Sequence, residues 1–583
     1  MSISGQTARL STGRLSPTRL RFDGEGPALA VLVAIVCLFC GLPLVLLFQI
    51  GLTTDGAYSL GPLQEALASR SVRRALWHSL ESSALAAACA TVFGTLVALI
   101  IGLTNVRAKG VLIFLILLPM MIPPHVTAIA WIQALGPASP VLQALGIAPE
   151  PGSTHPIYSL GGIVALLALQ SAPLVFLVVR ASLRTFPREL SEAARISGAG
   201  PVRMLHRVIL PLLAPSLLAG FALAFVASLG NFGINALLGI PARYTTLPVL
   251  IWRRLASFGP DVLPNVAVIS VILALVTFIA IAIQFALQRQ MRVALIGLPQ
   301  APLAVDLGRA RPWVETGLWL MIAAILVLPM TSLVATALVK TYGIPLTFST
   351  MTFDNFAEVL GRQSVTIRAF LNSGFTAGSA AILIAFLSIG LGYYLVARRR
   401  AHTRSAGFAA TQAEIAFAIP GLVISIAFIL AFVRPLPLVG VTLYGTIWII
   451  LIAYVSAFLA IGLKPVAAAY SQLDTSLDDA ARVAGATFPR RIKRIFAPLV
   501  APAAASGAIL VFLTAYNEVT VSALLWSTGS ETIGTTIFNY EDGGYTTLAA
   551  AMSAVTVVAT IVIMIAMNAL GRSLPAGTIP WRG

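Results

Sequence analysis

The chain has 583 residues, 58% of them hydrophobic and only 10% charged, with 38 Lys and Arg against 21 Asp and Glu and a formal net charge of +17. Soluble domains carry about a quarter charged residues, and disorder requires low hydrophobicity with high charge, so both classes are excluded. The apolar stretches are long and continuous, unlike the roughly ten-residue alternating segments of an outer-membrane barrel, and predict an all-α polytopic membrane protein.

A basic tail, 1–26, carries Arg9, Arg14, Arg19 and Arg21. The first apolar run, 27–52, is too long for a signal-peptide core and has no small-residue cleavage site behind it, so it reads as a retained helix. Within it, Cys37 and Cys40 form a C-x-x-C in an apolar setting and read as small buried hydrophobes. Further runs fall at 77–104, 109–136, 159–183, 211–239 and 262–288, and complete a first half over 27–288. A polar linker, 289–312, follows. The second half, 313–583, holds runs at 313–339, 370–397, 407–433, 440–466, 498–526 and 546–570. This predicts about twelve transmembrane helices, six in each half. With the N-terminus inside, 28 of the 38 Lys and Arg fall on the inner side. Both termini are therefore expected in the cytoplasm, and the basic excess reads as loop retention rather than nucleic-acid binding.

The two most charged inner loops, 187–211 and 474–498, repeat one another. The first contains Glu189, Glu192-Ala193-Ala194-Arg195 and Gly198-Ala199 before Leu210-Pro211. The second contains Asp478, Asp479-Ala480-Ala481-Arg482 and Gly485-Ala486 before Ala497-Pro498. A constant offset of 287 relates them, and it also aligns Ala236-Leu237-Leu238 with Ala523-Leu524-Leu525. Because each half has an even number of spans, the repeat is parallel rather than inverted. In each loop an acidic pair suits a helix N-terminus, Ala-Ala-Arg favours helix, and the glycine permits a sharp turn. The pattern predicts a short helix, a bend and a second helix on the inner membrane face, a shape suited to docking another protein.

This pattern resembles the EAA loop of permease subunits of type I ABC importers. The second copy departs mildly, with Asp479 where the first has Glu192. A fused double chain of this length further resembles the ferric-iron permease group, as do Ile122-Pro123, Ile419-Pro420-Gly421 and Asn517-Glu518-Val519-Thr520-Val521-Ser522. The resemblance implies a bacterial inner-membrane permease for ferric iron, with phosphonate, polyamine or thiamine as alternative cargo. It implies two copies of a cytoplasmic ATP-binding subunit docked on the two loops, a periplasmic or other extracytoplasmic substrate-binding protein, and substrate movement by alternating access. ATP and Mg would then sit on the partner subunits and no cofactor in this chain. The sequence holds no G-x-x-x-x-G-K-[ST] phosphate loop and no Gly-Lys dipeptide.

Charged groups inside apolar spans are candidates for a substrate pathway. Glu518 leads. The offset places Gly230 and Asn231 opposite Asn517 and Glu518, so Asn231, Asn517 and Glu518 are expected to meet across a pseudo-two-fold axis. The competing reading leaves Glu518 hydrated near the outer boundary. His125 follows a predicted helix break at Pro123-Pro124 and reads first as structural; Glu81 and Glu414 read as interfacial. Arg253, Arg254 and Asp261, with Tyr540, Glu541 and Asp542, fall in matching outer loops, as binding-protein contacts or as solvated residues. Five scattered histidines make no metal-ligand pattern. An ion-coupled secondary transporter would leave the paired loops unexplained, and a membrane enzyme would need a catalytic constellation that the sequence does not offer.

Overall fold

The computed structural model describes residues 24–570, apart from 55, 151, 185, 187, 258, 260, 291–304, 397–399, 436–439 and 475. The four tail arginines, most of the linker and the last basic residues lie outside the described residues.

In the first half, α1 (Glu25–Gly51) and α2 (Arg70–Leu103) flank a small antiparallel hairpin pairing Thr53–Thr54 with Ala57–Tyr58. Then come α3 (Lys109–Met121), α4 (Pro124–Leu135), α5 (Leu160–Arg184), α6 (Arg188–Ile196) and α7 (Pro201–Leu229). Next are α8 (Gly233–Gly239), α9 (Leu247–Leu255) and α10 (Val262–Gln290). In the second half α11 (Gly308–Ala337), α12 (Ser364–Leu395), α13 (Arg400–Ala418), α14 (Gly421–Phe432) and α15 (Ile447–Ser471) repeat the order. They are followed by α16 (Ser476–Val483), α17 (Phe488–Tyr516), α18 (Ile533–Asp542) and α19 (Thr546–Leu570). Among the described residues ten helices are long and apolar enough to cross a membrane, or up to twelve if each of two bent pairs is one span. Side chains such as Val92, Phe285, Phe386 and Val562 lie exposed on these helices, as a lipid-facing surface requires.

The repeat is architectural. The α1 helix packs against α10 of its own half and against α14 of the other; α11 packs against α19 of its own half and against α4 of the other. Each half thus lends its first span to its neighbour, and the buried core runs continuously through both halves.

The runs at 109–136 and 407–433 are broken, the first at the Pro123-Pro124 break that the sequence predicts and the second at Pro420, where the sequence predicts a continuous span. The chain turns by 100° between α3 and α4 and by 114° between α13 and α14. Pro123 and Pro420 lack an N–H and adopt extended backbone (ψ 140° and 137°), which stops one helix and starts another. The runs at 211–239 and 498–526 are also shorter than expected, because α7 ends at Leu229 and α17 at Tyr516. At their other ends the same helices start earlier than the prolines expected to open them. Pro211 and Pro498 lie inside, two residues beyond wide five-residue turns at Leu205–Ile209 and Ile492–Phe496. Pro43 and Pro329 follow Cys37–Gly41 and Ala323–Val327 in the same way. A proline ring clashes with the carbonyl four residues back and cannot bond it; widening the preceding turn by one residue relieves both problems.

Candidate functional site

The two repeated loops expected to dock ATP-binding subunits fold alike. In the first, Gly198 N–H donates to Arg195 O and Ala199 N–H to Ala194 O, both at 2.9 Å, with Gly198 at φ 76°. In the second, Gly485 N–H donates to Arg482 O at 2.9 Å and Ala486 N–H to Ala481 O at 3.0 Å, with Gly485 at φ 75°. Left-handed backbone at that position is why glycine stands there, since a side chain would crowd the following carbonyl. A short helix, a tight turn and the next helix follow in both loops, as the sequence predicted.

The matched turns present matched apolar groups. Ile196 is 88% exposed and Val483 90%, while Leu190 and Leu477 are each 38% exposed; both pairs obey the offset of 287. Beyond each turn Arg203, His206 and Arg207 are exposed, as are their counterparts Arg490, Lys493 and Arg494. A groove of about 480 Å³ opens beside Gly198, Pro201, Arg203 and His206. Glu189, Ala193, Gly198, Ala480 and Gly485 are exposed, and Glu192, Ala194, Ala199, Asp478, Asp479 and Ala486 are half-buried. Ala481 is buried. The loops differ in one respect: Asp478 and Arg482 belong to an ion-pair network that reaches Glu25. Burial works against the Arg482 charge, yet Asp478, Tyr393 and Glu25 together hold it above the ordinary arginine range.

The second cluster lies where α7 and α17 end. Asn231 and Glu518, at aligned positions, do the same local job. Asn231 Oδ1 accepts from Ile234 N–H at 3.0 Å; Glu518 Oε1 accepts from Val521 N–H at 2.6 Å and Oε2 from Ser522 N–H at 3.1 Å. Asn517 donates from Nδ2 to Thr560 Oγ1 at 3.0 Å, within its own half. Among the described residues no hydrogen bond joins the three, so each is engaged inside its own half rather than across the axis. Capping of this kind is typically worth about 1 kcal/mol. Asn231→Ala and Glu518→Ala are each expected to lower thermal stability in detergent by about 0.5–2 kcal/mol. Glu518→Gln, which keeps one acceptor, should lose less. A transport defect at unchanged stability would instead assign Glu518 to the pathway.

The halves meet around these breaks. A Cβ added at Gly230 would lie 3.3 Å from Pro420 Cβ of the other half, and one at Gly233 would lie 3.0 Å from His125 Cβ. His125 is fully buried among the described residues. Beside them stands an aromatic triangle. Phe232 lies 5.2 Å from Phe538 and 6.1 Å from Trp252, and Trp252 meets Phe538 edge-on at 5.8 Å. Trp252 on α9 and Phe538 on α18 are equivalent under an offset of 286, so the two halves bring a matched pair of rings edge-on against one another. The sequence reading missed this pair; aligning α9 with α18 would have found it.

The outer-loop candidates divide. Arg254 bonds Ser71 Oγ at 3.2 Å, and Tyr540 OH lies 3.2 Å from Thr366 Oγ1. Burial pushes the Glu541 carboxyl up to about 7, while Asp542 is exposed. Glu81 accepts from Tyr244 OH at 2.9 Å and Glu414 is exposed.

Two helical halves with exchanged first spans, broken central helices and a matched pair of protruding turns define a membrane permease. The chain belongs to the family described as binding-protein-dependent transport system inner membrane component, whose pattern matches twice, at residues 90–293 and 388–576. It is therefore a multi-pass ABC-transporter permease chain with two fused permease units. It is 26% identical over 508 residues to a probable ABC transporter permease protein of Sinorhizobium fredii, covering 86% of this chain and 88% of that one. To a ferric transport system permease protein of Actinobacillus pleuropneumoniae it is 25% identical over 547 residues, covering 92% and 77%. To a molybdenum transport system permease protein of Escherichia coli it is 29% identical over 208 residues, covering 34% of this chain and 88% of that one.

Proposed function

We propose that the chain is the complete translocation pathway of an ATP-driven, binding-protein-dependent importer of ferric iron in a bacterial inner membrane. The observation that carries the reading is the pair of docking turns with one hydrogen-bond register and matched exposed Ile196 and Val483. Two equal apolar knobs suit two copies of one ATP-binding subunit, each taking a knob into a groove.

Both turns share one membrane face only if the bent pair between them, α13 with α14, crosses the bilayer; the repeat then favours a crossing by α3 with α4 as well, six crossings per half. A re-entrant α13–α14 pair would leave five crossings between the turns and put them on opposite faces. The basic groups beside the turns favour the cytoplasmic side for that face, and with it for both termini. Units 27–288 and 313–583 then rock against one another about the broken helices. ATP and Mg act on the partner subunits. The extracytoplasmic binding protein delivers cargo at the opposite face, where α9 and α18 lie. Ferric iron is favoured over an oxyanion because the ferric relative spans both units, whereas the molybdenum relative matches about a third of the chain.

The test is a mild-detergent pull-down of the tagged chain from its own membranes, with mass spectrometry of what accompanies it. Two ATP-binding subunits per chain are expected. A co-isolated binding protein should bind ferric iron ahead of molybdate, phosphonate, polyamine or thiamine. A chain that comes alone, even after crosslinking, would overturn the docking reading and favour an ion-coupled transporter. A molybdate-selective binding protein would change the cargo alone.

A further inference from the structure

The second docking loop is tied to a helix of the other half by buried charge. Arg491, 1% exposed, pairs through Nη2 with Glu25, 4% exposed, at the first turn of α1. Arg482 Nη2 meets the same Glu25 oxygen at 2.5 Å and bonds Asp478 through Nε at 2.7 Å. Arg491 Nε lies 3.0 Å from Asp478 Oδ1, and its Nη1 donates to Ala486 O at 3.0 Å, within the docking turn itself. Tyr393 OH donates to Asp478 at 3.1 Å and Tyr394 OH donates to the Glu25 carbonyl at 2.7 Å. Two carboxylates and two guanidiniums thus lock the docking helix, the docking turn and the start of α1 into one body.

The first half cannot build this pair. At the position aligned with Arg491 it has Met204, buried among apolar groups. Near the first spans the offset is 286, which pairs Pro43 with Pro329; under it the position aligned with Glu25 is Arg311, held by its own Glu315 at 2.9 Å. Buried ion pairs add little net stability, because desolvation offsets attraction, but they do hold one geometry, and breaking one side is costly.

The α1 helix is long enough to act on something distant. Its 27 residues span about 40 Å. Past its widened turn at Cys37–Gly41 it packs on α14, directly beyond the Pro420 bend. We propose that Glu25 is a positioning residue that yokes the second docking helix to α1, so that movement of that loop under ATP is delivered along α1 to the broken helix α14. Coupling in this importer is therefore asymmetric: the second docking site drives a span of the opposite half through Glu25 and Arg491. This rests on the importer reading above.

The test uses the full chain reconstituted with its ATP-binding subunits and binding protein. Glu25→Gln and Arg491→Met, the latter installing the residue of the first half, should retain the parent's ATP-binding subunits in a pull-down. Cargo imported per ATP hydrolysed should fall at least about tenfold in Glu25→Gln, which weakens both arginine contacts to α1, and by less in Arg491→Met, which leaves Arg482 on Glu25. Glu25→Cys with Arg491→Cys, in a chain whose Cys37, Cys40 and Cys89 are alanine, should be equally uncoupled when reduced. A short bifunctional thiol reagent should restore its ratio to within about twofold of the cysteine-free parent, a gain that lost stability alone does not predict. An unchanged ratio in Glu25→Gln, or a bridged pair that blocks import, overturns the yoke. Should the single variants fail to accumulate, the bridged pair decides alone. If the wild-type chain retains no ATP-binding subunit, the importer reading fails instead.

Discussion

Replacing Gly198 and Gly485 together by arginine is expected to strip the ATP-binding subunits from the chain while leaving it in the membrane. Both glycines sit at positive φ in turns of the same hydrogen-bond register, and an added Cβ meets nothing within 4 Å at either position. Left-handed backbone with a side chain costs about 1–2 kcal/mol per site, a local penalty on an exposed turn. The body of each half is untouched. At a docking surface the result is larger, because a bulky cation lands beside Ile196 and Val483 and misdirects the apolar knob. An affinity loss of at least about 100-fold, near 2.7 kcal/mol, is expected. The pair is compared with wild type by quantitative pull-down and by ATP-driven uptake in proteoliposomes. Single variants should lose one of two subunits. Unchanged association and uptake in the double variant would sink the docking assignment.

Truncating the matched rings on α9 and α18 is expected to open a leak. Trp252 meets Phe538 edge-on, Phe232 is tilted against both, and Phe232 and Phe538 are buried. A hydrated ion cannot cross such a cluster without separating the rings. Trp252→Ala combined with Phe538→Ala should raise efflux of cargo from loaded proteoliposomes without ATP by at least about tenfold, or about 1.4 kcal/mol of barrier. Each truncation also removes packing worth about 3–5 kcal/mol, and because the rings touch, the losses should be less than additive. A second arm controls for that loss. Trp252→Cys with Phe538→Cys, oxidised, should stop import reversibly, because the two halves can no longer part there. Wild-type efflux in the double alanine variant together with full import by the oxidised cysteine pair would show that the rings are packing and not a gate.

The sequence could state the membrane class and the two repeated glycine turns because each depends on short-range physics. Lipid demands runs of apolar residues, and a positive-φ turn demands glycine within a few residues of the helix it ends. The constant offset of 287 extended those local signals across the chain. It also put Asn231 opposite Glu518, although the job they share is capping a local turn rather than meeting one another.

What hydropathy averaging could not resolve was where a long run stops being one helix. Pro123 and Pro420 break runs that are apolar from end to end, and the widened turns before Pro43, Pro211, Pro329 and Pro498 keep helices intact through prolines that look like starting points. Membrane insertion is set by composition over about 20 residues, whereas a bend is set by one missing N–H. Tertiary structure alone decided the contacts between halves. Glu25 stands at the end of the basic tail, 466 residues from Arg491 in sequence, yet lies against it in space. Trp252 and Phe538 are 286 residues apart in sequence and meet ring to ring. The exchange of first spans between halves brings the start of α1 against the second docking loop, and no local periodicity encodes that. The sequence by itself therefore determined the class of protein, the duplication and the repeated glycine turns. The fold decided which charges are buried together, which rings meet on the axis and which helix carries motion from one half to the other, because those depend on packing between segments hundreds of residues apart.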